Sequence, residues 1–144
     1  MAEMLLKHLV EQSGLSDQFE IDSAAVSTEE IGNDIYPPAQ RKLREKGVAF
    51  THHAARQITK ADYAYYDHII CMDHSNLRYL SYILGDDPDG KVSLMMDWAE
   101  RTTQMTPRQA RDVADPWYTG NFEATYRDLL AGCQGLLRGL TQKK

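Results

Sequence analysis

At 144 residues, 42% of them apolar, with a net charge of −5 and 16 basic residues scattered along the chain, the sequence suits one domain, residues 1–144. It offers no concentrated basic face for nucleic acid. The two cysteines, Cys71 and Cys133, lack the paired spacing of a zinc site or a disulfide framework, which points to a reducing, cytoplasmic setting. No signal peptide is evident and no apolar run reaches the roughly 18 residues of a membrane span, so no membrane partner is expected.

Met1, Leu5, Leu6, Leu9 and Val10 recur at helical spacing, and "SGLSD" stops the helix they define. "FEIDSAAV" (19–26) reads as a short apolar strand. A helix over Pro37–Lys46 opens on two prolines and ends at Gly47, and another over Thr59–Tyr66 opens on a threonine cap. "DHIICM" (67–72) is the second expected strand, Ser75–Leu84 a helix stopped by Gly85, and "VSLMMDW" (92–98) a third strand after the turn "DDPDG" (86–90). From Asn121 to Leu140 the residues Phe122, Tyr126, Leu129, Leu130, Leu136, Leu137 and Leu140 predict a last helix. Strands separated by helices imply an α/β fold with a parallel sheet in three layers. The first helix is the exception, since no strand stands before it. In a doubly wound fold the strand-to-helix turn at that place is where phosphate meets backbone N–H groups.

Five motifs then stand in order: "AE" at Ala2–Glu3, "DSAAVS" (22–27), "HAARQITKADY" (53–63), "CMDHSNL" (71–77) and "DPWYTG" (115–120). Together they resemble the low-molecular-weight protein tyrosine phosphatases over essentially the whole chain. The resemblance implies a doubly wound parallel sheet in the order 2-1-3-4, and hydrolysis of phosphotyrosine or small aryl phosphates through a cysteinyl-phosphate. In that family a C-x5-R-S-P loop before the first helix supplies the nucleophile and the phosphate-binding arginine. An unaided phosphate monoester reacts so slowly that a nucleophile, oxyanion donors and an acid are all required. By the resemblance Asp115 is the general acid, and Trp117 and Tyr118 flank the substrate ring. Read alone, Asp-Pro-Trp-Tyr is a turn that packs its indole into the core. Ser23 and His53 resemble residues that hold the phosphate loop in shape from a second layer.

Neither cysteine fits the nucleophile's place. Cys71 lies at a strand end with Arg78 seven positions on, one too many, and Asp73 stands where a phosphate dianion would be held. Cys133 falls inside a helix, where the N–H groups are already bonded. Adjacent His52 and His53 do not make a metal site, and no cofactor is expected. Arg41 and Arg56 read as solvated surface groups rather than phosphate ligands, and Tyr63, Tyr65 and Tyr66 as a packing edge. Glu29 falls where some relatives carry an aromatic wall, which leaves substrate preference open.

Two readings follow. In one, Met1 is not the native start and the longer product is a cysteine-dependent phosphatase. In the other, the 144 residues are a natural, non-catalytic binding or oligomerising protein. In either reading the 144 residues themselves lack the central strand, and for them a sheet that rearranges or swaps elements into a homo-oligomer is expected.

Overall fold

The computed structural model describes residues 1–26, 37–50, 56–99, 110–114 and 122–141. Helix α1, Ala2–Gln12, buries Met4, Leu5 and Val10 on one face, as the apolar spacing requires, and a short 3-10 turn follows at Ser16–Gln18. Helix α2 is Pro37–Glu45, and Gly47 after it adopts φ 71, the left-handed conformation that lets the chain leave the helix. Helix α3, Lys60–Tyr65, begins at a reciprocal capping box. The Asp62 N–H donates to Thr59 Oγ1, and the Thr59 N–H donates to Asp62 Oδ2 at 2.8 Å.

Strand β1, Ile69–Cys71, leads to helix α4, His74–Leu84. Asp73 caps α4 by accepting from the Asn76 N–H at 2.7 Å. Strand β2, Val92–Leu94, lies parallel to β1 in the register Ile69–Val92, Ile70–Ser93, Cys71–Leu94. Helix α5, Met95–Ala99, follows directly, and α6, Phe122–Thr141, is the long C-terminal helix.

Alternation along β1 builds the layers. Ile70 packs on a cluster that holds Leu5, Met96, Leu129 and Cys133, whereas Cys71 joins Leu80, Val92 and Leu94, with Ile69 and Leu77 beside them. Successive strand side chains point to opposite faces, so α1, α5 and α6 cover one face of the pair and α4 the other. Apolar residues on both faces are the mark of a parallel sheet between helix layers, and the expected α/β class holds.

The sheet is smaller than expected. Among the described residues it has two strands, in the order β1-β2, where three are expected, the four of the 2-1-3-4 order less the first. Residues 19–26 form no strand. Ala25 alone bridges, to Gln57, through the Ala25 N–H donating to Arg56 O at 2.7 Å and the Ile58 N–H donating to Ala25 O at 2.8 Å. The stretch 92–98 is also not one strand. Asp97 reaches back to accept from the Leu94 N–H at 2.8 Å, as the third residue of a capping box does, and this turns the chain helical at Met95.

The crossing of α5 and α6 is closer than ordinary side chains allow. A Cβ at Gly135 would overlap the Trp98 carbonyl, and one at Gly132 would meet Met95 Cγ and Sδ at 2.5 Å. Helix propensity favours alanine over glycine by about 1 kcal/mol, but overpacking against backbone costs about 1–3 kcal/mol. Gly135→Ala should therefore lower stability in urea melts, while Gly139→Ala, at an exposed position of the same helix, should leave it unchanged or raise it. Equal behaviour of the two variants would show that the crossing has room to spare.

Candidate active site

A cleft of about 1720 Å³ runs between residues 19–26 and β1, and its walls bring together the start of α1, Ser23, Arg56, Asp62, Val113 and Ala114. Ser23 Oγ donates to Glu3 Oε1 at 2.6 Å, and Lys7 Nζ, one helical turn along α1, reaches Glu3 Oε2 at 2.6 Å. Glu3 is 8% exposed, so this carboxylate is a buried charge satisfied by a hydroxyl and an ammonium. It fastens the first turn of α1 to the far wall. His53, Asp115, Trp117 and Tyr118 lie outside the described residues, as does Glu29.

Arg56 is not the solvated group its sequence context suggests. Its guanidinium forks onto Asp62 at 2.8 and 3.1 Å and also donates to Asp22 Oδ2 at 3.1 Å. Hydrogen bonding to Asp62, and then to Asp22, pushes the Arg56 pKa up, and the same fork holds Asp62 below the usual carboxylate range. The side chain that closes the cap of α3 thus also ties that helix to residues 22–25. Arg41 is exposed on α2, as expected. The tyrosines divide. Tyr63 OH donates to Asp87 Oδ1 at 2.6 Å and packs beside the β1–β2 cluster, whereas Tyr65 is 63% exposed, bonded to Glu20 at 2.5 Å, and belongs to the cleft rather than to a packing edge.

Residues 110–114 run to the position just before Asp115, and they are held along their length. The Val113 N–H donates to Met72 O at 2.9 Å, beyond the end of β1. The Ala114 N–H donates to Asp128 Oδ2 at 2.8 Å, and the Ala114 carbonyl accepts from Thr125 Oγ1 at 2.7 Å, both from α6. Asp128 also takes the Arg111 fork at 2.9 and 2.7 Å, and Asp112 accepts from the His74 N–H at 2.9 Å. The Ala110 N–H reaches Asp97 at 3.2 Å. Sequence reading gave no role to Glu3, Asp128 or Thr125. Only Glu3 left a local trace, its four-residue spacing to Lys7.

Both cysteines are buried. Cys133 sits inside α6, and burial pushes its thiol up to about 12. Cys71 ends β1, and in the turn after it Asp73 takes the Asn76 N–H and Asp112 the His74 N–H at the start of α4, where an anion would otherwise bind. Among the described residues no group of three or more His, Cys, Asp or Glu side chains could hold a metal, and no helix is long and apolar enough to cross a membrane.

The family model described as low molecular weight phosphotyrosine protein phosphatase matches residues 1–144. The chain belongs to that family. It is similar to the low molecular weight protein-tyrosine-phosphatase YfkJ of Bacillus subtilis, 32% identical over 144 residues, covering all of this chain and 88% of that protein. The low molecular weight phosphotyrosine protein phosphatase of Mus musculus is 36% identical over 139 residues, 95% of this chain and 84% of its own length. The crystal structure of YfkJ superposes with a TM-score of 0.88 at 31% identity, covering 99% of this chain and 86% of that one.

The Arg111 guanidinium holds Asp128 below the usual carboxylate range. A depressed carboxyl pKa contributes stability that is complete above the unfolded value of about 3.9 and is lost as pH falls through the folded value. Asp128→Asn keeps an acceptor for Ala114 and loses the ion pair, so it should cost about 0.5–1 kcal/mol at pH 7. Asp128→Ala should cost about 1–3 kcal/mol. In urea melts the gap between the parent and Asp128→Asn should narrow as pH falls below about 4. A gap that does not change with pH would assign the loss to packing instead.

Proposed function

We propose that these 144 residues carry the acid and the substrate-contacting rim of a phosphotyrosine phosphatase site but not its nucleophile, so that the chain alone does not turn over aryl phosphates. One observation carries this reading: both cysteines are committed to the core, one with its thiol raised to about 12 and the other beside an aspartate-capped helix start. Transfer through a cysteinyl-phosphate needs a thiolate, and a thiol held protonated by burial supplies none. The charges around the cleft agree with this. Arg56, the arginine among its described lining residues, is taken up by Asp62 and Asp22, so it offers no fork to a phosphate dianion.

Asp115 keeps its place in the reading. It follows Ala114, which lines the cleft and whose N–H and carbonyl are both bonded to α6, and this neighbour in sequence supports the reading of an acid at the rim. There it would protonate the leaving tyrosyl oxygen, with Trp117 and Tyr118 against the substrate ring and Ser23 and His53 supporting the phosphate-binding turn. With a nucleophile-bearing segment in place, the substrate class is a phosphotyrosine protein or a small aryl phosphate met in the cytoplasm.

With p-nitrophenyl phosphate the 144-residue chain should release product no faster than buffer. Turnover lost in Cys71→Ser would overturn the proposal. A version with a strand and C-x5-R-S-P placed ahead of Met1 should gain activity. In it Asp115→Asn should slow alkyl or unactivated aryl esters by about 10²–10⁴, and p-nitrophenyl phosphate less, since a poor leaving group depends more on the acid.

A further inference from the structure

Four of the 16 basic residues, Arg41, Lys42, Arg44 and Lys46, fall close together at the end of α2. Ala39 and Leu43 are buried and hold that helix to the core beside α6. Toward α6 the charges are matched. Lys42 Nζ donates to Glu45 at 2.6 Å and to Glu123 at 3.2 Å, and Lys46 Nζ lies 3.1 Å from Glu123. Arg41 and Arg44 differ from these lysines. They stand three positions apart, hence on one face, both are exposed, and among the described residues no carboxylate meets either.

Arg56 and Arg111 are forked onto Asp62 and Asp128 and serve the fold. Arg44 instead lies over the Phe50 ring, 5.2 Å from its centroid, as Lys46 lies over Tyr126 at 5.1 Å. A ring steadies a cation without taking up its N–H donors as a carboxylate does. A basic residue in the last turn also complements the helix dipole, which accounts for Lys42 and for part of the place of Arg44. Arg41 stands before that turn, where the dipole asks for no cation. The outer face of α2 is thus a positive site with two guanidinium forks open, in a chain whose net charge is −5.

Range selects the partner. Charges separated by more than roughly 8–10 Å are largely screened at physiological salt, so a short acidic segment senses the two arginines and little else. A nucleic-acid duplex or an anionic membrane spans a whole side of the molecule and meets its excess of acids as well. A second copy brings its own net charge of −5. We propose that the outer face of α2 docks an acidic segment of another polypeptide, with carboxylates seated on Arg41 and Arg44. Guanidinium and carboxylate match in a paired, planar geometry, and two neighbouring arginines present that fit twice. No residue of α2 lines the cleft, so this docking face stands apart from it.

The probe is a fluorescein-labelled nonapeptide of glutamates around a central leucine, titrated with the 144-residue chain at moderate salt. Anisotropy should saturate at micromolar protein, and the affinity should fall as salt is raised. Arg41→Glu with Arg44→Glu should weaken binding about tenfold or more. Arg78→Glu with Arg138→Glu changes the net charge equally at exposed positions of α4 and α6, and should weaken it about twofold at most. Circular dichroism checks that each variant is folded, and Arg41→Gln with Arg44→Gln, which adds no repulsion, should still weaken binding. The proposal fails if the peptide does not bind, if the two charge-reversed pairs bind it equally, or if the glutamine pair binds it like the parent. It also fails if phosphatidylserine vesicles or duplex DNA bind the chain more tightly than the peptide does and lose that binding in the Arg41→Glu, Arg44→Glu variant. A dimer seen by light scattering and lost in the same variant would make a second copy the occupant and overturn it as well.

Discussion

The close crossing of α5 and α6 sets the geometry on which the rest of the structure depends. Two glycines on α6, Gly132 and Gly135, let its backbone approach Met95 and Trp98 without intervening side chains. That contact fixes α6 against the helix that leaves β2, and so against the sheet. Thr125 and Asp128 stand on the same helix, and their positions follow from where it sits. They in turn hold Ala114 by both backbone groups, one residue before Asp115.

Carboxylates act as the ties of this molecule. Asp62 closes the cap of α3 and grips Arg56, which also reaches Asp22. Asp73 caps α4, Asp97 starts α5 and accepts from Ala110, and Asp128 joins Arg111 to Ala114. Each accepts from backbone N–H groups that would otherwise be left without a bond where a short element ends. The strands are only three residues long, so the chain has many such ends. This accounts for an excess of acids, 21 against 16 basic residues, in a protein whose family handles a dianionic substrate. Many of the acids serve structure, and the same acids leave the described cleft short of positive charge.

Membership of the phosphatase family and the disposition of the cysteines meet at one point. The chain matches the family model from end to end, and YfkJ's fold superposes on nearly all of it. Family membership alone does not create a thiolate. Cys133 lies too deep to ionise, and the turn after Cys71 already holds an aspartate. Burial raises a thiol's pKa because it withdraws the water that would stabilise the anion, and at Cys133 this outweighs the opposing pull of the N-terminal ammonium.

Local chemistry was legible in the sequence. The helix stops at Gly47 and Gly85, the Thr59 cap, the apolar face of α1 and the long α6 all follow from residues within a few positions of one another. The five ordered motifs carried the family. Three features could not be read. Residues 19–26 have strand composition but, among the described residues, bridge only at Ala25, because a strand exists by virtue of a neighbour and composition names no neighbour. Asp97 ended the third expected strand early, since a carboxylate three residues past Leu94 can cap a helix as readily as it can sit on a strand face. Glu3 with Ser23, Arg56 with Asp22, and Asp128 with Ala114 join residues 14 to 34 positions apart. The sequence determined which residues could make such bonds, and the tertiary structure decided which pairs did, because only folding brings a donor and an acceptor to about 3 Å from each other.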